Sequence, residues 1–472
     1  MASDGFCDDA TRTILSTPSG PVAGLVTGDI ATFRGVPYAQ PPVGGLRFAA
    51  PVRRARWSEA HDGTRFGATA QRQSPGFAMP EPAVPGDDIL NVTIFTRRSA
   101  APNGQLPVVV WIHGGGYVAG SPVSDWYDGR ALAAEGVVVV SIGYRLALDG
   151  FGVLPGHPTN RAVLDWICAL EWVRDEIAAY GGDPGNITIA GQSAGGGAVL
   201  ALTATRAADG LFQRAWSLSG VLTHSPVQDA ADGLARTLHA RGLTPTETDL
   251  ASTASDGLLD PVDPIGGGQI PWNPVDDELF PHGLVAGLAG SGVPLVAGAT
   301  ADEWFWAPVE PDLDDDGART LLAALGADPV EPALEAVRAG WGRVTDAAVR
   351  TEALFRAAVV RAAATRPNAE TWVYDYRVPR RVGGRALHCD DIPAFFGLHD
   401  QRNVVDVLGD AGIDDRRALH ADVVAFAHGT TPSWSAPADG PLAGVVAGLR
   451  VRGDARPSDG FATAAAVAAT LR

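Results

Sequence analysis

Three continuous apolar runs constrain this chain's fold more than any other feature: Leu106–Ile112, 137–142 and 187–190. None alternates polar with apolar residues, so neither face of these segments is meant for water. Strands of that kind belong to parallel sheets covered on both sides. Between the second and third runs, residues 161–180 carry Val163, Ile167, Leu170, Val173 and Ile177 at helical spacing. Asn160 stands where an N-cap belongs, and Gly181-Gly182 supply a stop. Strand, helix, strand in this order is a βαβ unit. It predicts an α/β fold with a central, mostly parallel sheet, helices on both faces, and ligands at the carboxyl ends of the strands. Further strands are expected at 22–26, 30–34, 89–96, 293–297 and 371–378, with a terminal helix at 464–471. The whole chain, 1–472, reads as a single domain, with helical cap insertions around 229–290 and 307–370.

Composition removes several chemistries. All 36 basic residues are arginine, so no lysine is present. A phosphate-binding loop of the Walker type, a Schiff base, a Ser–Lys dyad and a protein-kinase site are therefore excluded. The formal charge of −18 disfavours nucleic acid and anionic membrane as partners. Residues 1–9 are polar and acidic, which predicts no signal peptide, and no apolar run is long enough to span a bilayer. Cys7, Cys168 and Cys389 are scattered and odd in number, which predicts free thiols, a reducing compartment, a cytoplasmic location and no metal site.

The chemistry lies at the ends of the apolar runs. Gly191-Gln192-Ser193-Ala194-Gly195 follows the third run directly, and an apolar helical stretch follows it. A serine on a sharp strand-to-helix turn needs small neighbours, because its strained backbone leaves no room for side chains. His113-Gly114-Gly115-Gly116-Tyr117 follows the first run. Consecutive glycines there can turn bare N–H groups toward a developing oxyanion. In a hydrolase of this order an acid and then a histidine come downstream. Asp302 and Glu303 both end the strand at 293–297, and residue reasoning leaves the choice between them open. Of His388, His399, His420 and His428, His388 sits just beyond the 371–378 strand, where a catalytic loop belongs.

These motifs, with Phe33-Arg34-Gly35-Val36-Pro37-Tyr38-Ala39, Leu46-Arg47-Phe48, Gly181-Gly182-Asp183-Pro184 and Ala386-Leu387-His388, resemble those of the type-B carboxylesterases. That is the cholinesterase-like branch of the α/β-hydrolases, and the bacterial para-nitrobenzyl-esterase-like members are the nearest in pattern. The resemblance implies an α/β-hydrolase fold and cleavage of carboxylic esters through an acyl-enzyme, without cofactor. It implies Ser193 as nucleophile, Glu303 as acid and His388 as base, with Gly115, Gly116 and Ala194 as oxyanion donors. Gln192 and Ser219 fall beside the triad, while Arg47 with Asp87 and Arg145 with Asp165 fall where the family keeps ion pairs. An amidase or carbamate hydrolase with the same triad is the alternative, and a non-catalytic interaction protein of the same fold a more distant one.

The chain also departs from the pattern. The early disulfide is missing, its positions falling at Ala70 and Ile89, and Gln192 replaces the usual glutamate. Residues 73–85 contain no tryptophan to meet a choline group. Trp304, Phe305, Trp306, Phe395 and Phe396, next to the acid and the base, are candidate lining for an apolar pocket. Together these features predict small-molecule substrates that are uncharged aryl or alkyl esters in preference to cationic ones. Oligomeric state is not legible.

Overall fold

The computed structural model describes residues 10–71, 79–100, 104–246, 250, 272–307, 309–366, 369–434 and 461–471. The expectations for 1–9 and for Cys7 thus lie outside the described residues, and those for 73–85 and for the insertion around 229–290 only partly within them.

An 11-stranded sheet forms the centre. Its strands are β1 (Thr11–Ser16), β2 (Pro21–Thr27), β3 (Ile30–Pro37), β4 (His61–Asp62), β5 (Asn91–Arg97), β6 (Leu106–Ile112), β7 (Val138–Ile142), β8 (Gly182–Gln192) and β9 (Arg214–Leu218). Two short strands, β10 (Ser225–Pro226) and β11 (Val275–Asp276), pair apart from it, and β12 (Leu295–Thr300) and β13 (Thr371–Tyr376) complete it. The order is β1-β2-β3-β5-β7-β6-β8-β9-β12-β13, with β4 beside β2. From β7 to β13 neighbouring strands run parallel, and from β1 to β7 they run antiparallel.

The apolar runs form β6, β7 and the carboxyl half of β8, and they are covered on both faces. Along β6, Val108, Val110 and Ile112 enter one core cluster while Val109 and Trp111 enter the other. The helix Arg161–Glu176 lays Val163, Ile167, Leu170 and Val173 into the first. Asn160 holds the N-cap position, as expected. Its side chain makes no cap bond to this helix. Instead its amide nitrogen donates to Val275 O at 2.8 Å, and its oxygen accepts from Val275 N at 2.9 Å, fastening the helix start to β11.

Arg145 and Asp165 meet through two bonds, Nε to Oδ2 at 2.9 Å and Nη2 to Oδ1 at 2.7 Å, both side chains buried. Arg47 donates to Asp149 at 2.9 Å. Between β12 and β13 run the helices Asp315–Ala324, Val330–Trp341 and Asp346–Arg350, a π-helical turn at Thr351–Arg356, and Ala357–Ala364. They build a third cluster that includes Phe305 and Leu387. Among the described residues no helix is long and apolar enough to cross a membrane.

Candidate active site

β8 ends at Gln192 and the helix Ala194–Ala204 begins two residues later, so Ser193 alone makes the turn. Its backbone has φ 58° and ψ −124°, a region that side-chain-bearing residues rarely enter. Two bonds hold it there: Ser193 N donates to Leu218 O at 2.9 Å, and Gly197 N donates to Ser193 O at 2.8 Å. The flanking glycines are required by space. A Cβ on Gly195 would stand 2.0 Å from Ile112 O, and one on Gly191 2.4 Å from Gly195 O.

The glycine loop after β6 closes over this turn. A Cβ on Gly114 would lie 3.1 Å from that of Ser193, so the bare backbone permits the approach. Gly115 and Gly116 take positive φ, 107° and 61°. The N–H groups of Gly115, Gly116 and Ala194 have no hydrogen-bond partner among the described residues. Ala194 is fully buried. Free N–H groups of this kind can receive negative charge. His113 adds no cation, since burial pushes its imidazole down to about 4 while the ring stacks on Tyr144 at 4.4 Å.

The two carboxylates left open by the sequence separate. Asp302 accepts from Arg385 Nη1 at 2.9 Å, whereas Glu303, fully buried, accepts from His388 Nδ1 and from Thr300 N at 2.7 Å. With Nδ1–H donating to Glu303, Nε2 carries the lone pair. The Gln192 amide nitrogen, 3.1 Å away, donates to it. The Ser193 hydroxyl has no hydrogen-bond partner among the described residues, so serine and imidazole are not bonded to each other in this arrangement. Ser219 lies directly after β9, buried at φ 45°. Its N–H bonds Gly298 O at 2.7 Å and its hydroxyl has no partner among the described residues.

Of the five aromatic candidates only Trp304 stands at the histidine, 6.0 Å between ring centroids. Three of the others need correcting. Phe395 and Phe396 are buried in the second core cluster against Trp111, at 5.3 and 4.9 Å, because the helix Ile392–Phe396 turns them toward the sheet. Phe305 stacks on Trp341 at 4.7 Å in the third cluster. Trp306 is 45 % exposed beneath the Arg380 guanidinium. Sequence reasoning missed Phe355, whose ring centre is 4.5 Å from that of His388 and 5.6 Å from that of Trp304. It comes from the π-helical turn, and no motif marks it. Among the described residues no group of His, Cys, Asp and Glu side chains could hold a metal ion.

Residues 11–316 match the model of the carboxylesterase family. The chain belongs to that family. As a carboxylic-ester hydrolase of the α/β-hydrolase fold, it is similar to the para-nitrobenzyl esterase of Bacillus subtilis (strain 168), 35% identical over 413 residues, 83% of this chain and 84% of the relative. It is 32% identical over 460 residues to the phenmedipham hydrolase of Pseudarthrobacter oxydans, covering 90% and 92%. Among solved structures, a thermophilic para-nitrobenzyl esterase superposes with a TM-score of 0.79 at 30% identity, over 90% of this carboxylesterase and 93% of that chain.

Proposed function

We propose that this carboxylesterase cleaves uncharged aryl and alkyl esters by two-step acyl transfer through Ser193. The observation that carries the reading is the strained serine with three N–H groups that no other group uses among the described residues. In the first step the Gln192 amide leaves Nε2 of His388 and the Ser193 hydroxyl turns to it. The serine oxygen then attacks the ester carbonyl while its proton passes to Nε2. Glu303, bonded to Nδ1, holds the ring's tautomer and stabilises the imidazolium. The oxyanion rests on the N–H groups of Gly115, Gly116 and Ala194. As the C–O bond to the alcohol breaks, His388 returns its proton to the leaving oxygen. Water, deprotonated by the same imidazole, repeats the sequence and releases the acid. The residues provide a complete set of groups for this without a cofactor.

Ser219 supports the turn through backbone contacts to the neighbouring strand. Trp304 and Phe355 present apolar ring faces beside His388, which suits apolar esters and offers no counter-charge to a quaternary ammonium. We take the chain as one catalytic unit in which the insertions around 229–290 and 307–370 cap the site. A cytoplasmic location agrees with the free thiols of Cys168 and Cys389. Replacing Ser193→Ala is expected to lower turnover of a para-nitrophenyl ester by about 10⁴-fold or more while circular dichroism stays unchanged. Retained turnover by a folded variant would sink the assignment. A panel of matched esters, amides and carbamates separates an esterase from an amidase or carbamate hydrolase.

A further inference from the structure

The hydrogen bonds of His388 hold its edge. Nδ1 bonds Glu303, the backbone N–H donates to Glu303 O at 3.1 Å, and the Gln192 amide meets Nε2. During the reaction Nε2 must change partner, from the Gln192 amide to the Ser193 hydroxyl. While it does so the ring is bonded through Nδ1 only, and a ring bonded at one point can tip. Phe355 stands against it. The two ring centres are 4.5 Å apart and the planes 47° apart. Among the described residues no other aromatic ring comes as near to His388, the next being Trp304 at 6.0 Å.

Phe355 is itself firmly held. It stacks on Trp304 at 5.6 Å with the planes 24° apart. Its π-helical turn, Thr351–Arg356, is fastened on both sides of the acid. Thr351 Oγ1 accepts from Trp304 N at 3.2 Å, and Arg356 donates to Thr300 O at 3.4 Å and to Asp375 at 2.7 Å. Thr351 and Phe355, four positions apart, share the face of the turn that meets Trp304. A π turn carries about one residue more than an α turn, and such turns recur at functional sites. Had the helix from Asp346 run on in α register, the place of Phe355 would fall to Leu354, which has no flat ring to lay against an imidazole. At 2 % exposure Phe355 has little surface to offer an ester, and its closest ring partner is the base.

We propose that Phe355 is a positioning residue: it holds the His388 imidazole at the tilt from which Nε2 reaches Ser193 and then the leaving oxygen. The inference rests on the acyl-transfer reading and deepens it. Phe355 acts through the base and carries no step of its own. With a ring 4.5 Å away the imidazole has no room to tip toward Phe355. Without that ring it leans into the space left behind, and its lone pair loses alignment with the serine hydroxyl. Small misplacements of a reacting group cost far more in rate than in binding. The loss therefore falls on kcat, in acylation and deacylation alike, because both use the same imidazole.

The test measures Phe355→Leu and Phe355→Ala on para-nitrophenyl acetate and para-nitrophenyl hexanoate. The first variant keeps most of the apolar volume but removes the flat ring; the second opens the space. For both esters kcat is expected to fall about fivefold in Phe355→Leu and about fiftyfold in Phe355→Ala, while KM changes by less than about twofold. The Nδ1 proton of His388, shifted far downfield in the NMR spectrum by its bond to Glu303, should broaden in both variants as the ring loosens. Should Phe355→Ala not fold by circular dichroism, Phe355→Leu decides. An unchanged kcat in Phe355→Leu, or an Nδ1 signal as sharp as in the unmodified protein, overturns the proposal. So does a loss that lies in KM and grows with acyl length, since Phe355 would then be a wall of the pocket. In each of these cases abolished turnover in Ser193→Ala leaves the acyl-transfer reading standing. Undiminished turnover in Ser193→Ala removes that reading and this inference with it.

Discussion

At Nε2 of His388 a neutral amide stands where a carboxylate is usual in related enzymes. The contact is 3.1 Å, and Gln192 is itself buried at 1 % exposure, so water screens it little. A donor at Nε2 pairs with the tautomer that keeps the ring proton on Nδ1, where Glu303 accepts it. Gln192→Glu would put a negative charge against the same nitrogen and favour the imidazolium. The expected outcome is that the acid limb of the kcat/KM profile moves to higher pH and the rate near neutrality falls several-fold, read with an uncharged para-nitrophenyl ester. An unmoved profile would show that the amide contact is not kept in solution. The strained turn of Ser193 was legible as a motif because its cause, small residues around one serine, is local. Glu81 was not. It sits in a proline-rich loop with no periodicity, and only the folded chain shows that its carboxyl is buried.

Among the elements, β12 and β13 carry the acid and lead to the base, and a buried charge cluster joins them. Arg356, from the π-helical turn, donates to Asp375 of β13 at 2.7 Å and to Thr300 O of β12 at 3.4 Å, and Arg377 donates to Asp375 at 2.8 Å. Burial works against the Asp375 charge, but Arg356 and then Arg377 outweigh it and hold the carboxyl below its ordinary value. Asp375→Ala would leave Arg377 without this carboxylate and weaken the hold of Arg356. It is expected to destabilise the fold by about 3–5 kcal/mol in urea titration, and to lower activity because Thr300 N also holds Glu303. A loss below about 1 kcal/mol would show the cluster to be expendable. Strands legible from sequence were those whose signal is continuous, such as β6 and β7. β9, Arg214–Leu218, escaped notice because it is five residues long and opens on a charge. Adjacency in sequence misled at Phe395 and Phe396. A helix begins at Ile392 and directs both rings into the core, and only the helix's docking fixes that direction.

For the whole molecule the buried acids set how stability depends on pH. Burial raises Glu81 and Asp391 to about 7 and Asp390 to about 6, whereas in the unfolded chain each has an ordinary carboxyl value. Below those ordinary values both states hold the protons and nothing is lost. As pH rises the unfolded chain releases them first, so stability falls until the pH passes the folded values. Asp375 acts in the opposite sense, but its contribution is lost only as pH falls toward and below the ordinary carboxylate range. Between about pH 6 and about pH 8 the three raised acids together are expected to remove about 2–3 kcal/mol. The net charge of −18 pushes the same way by self-repulsion, and salt separates the two causes. Urea titrations at about 0.5 M sodium chloride should remove most of the surface effect and keep the buried one. Equal stability at the two pH values in high salt would mean that these carboxyls find partners or water in solution. If the difference persists, the enzyme is firmest on the acid side of neutrality, and the buried carboxyls rather than the net charge set that preference.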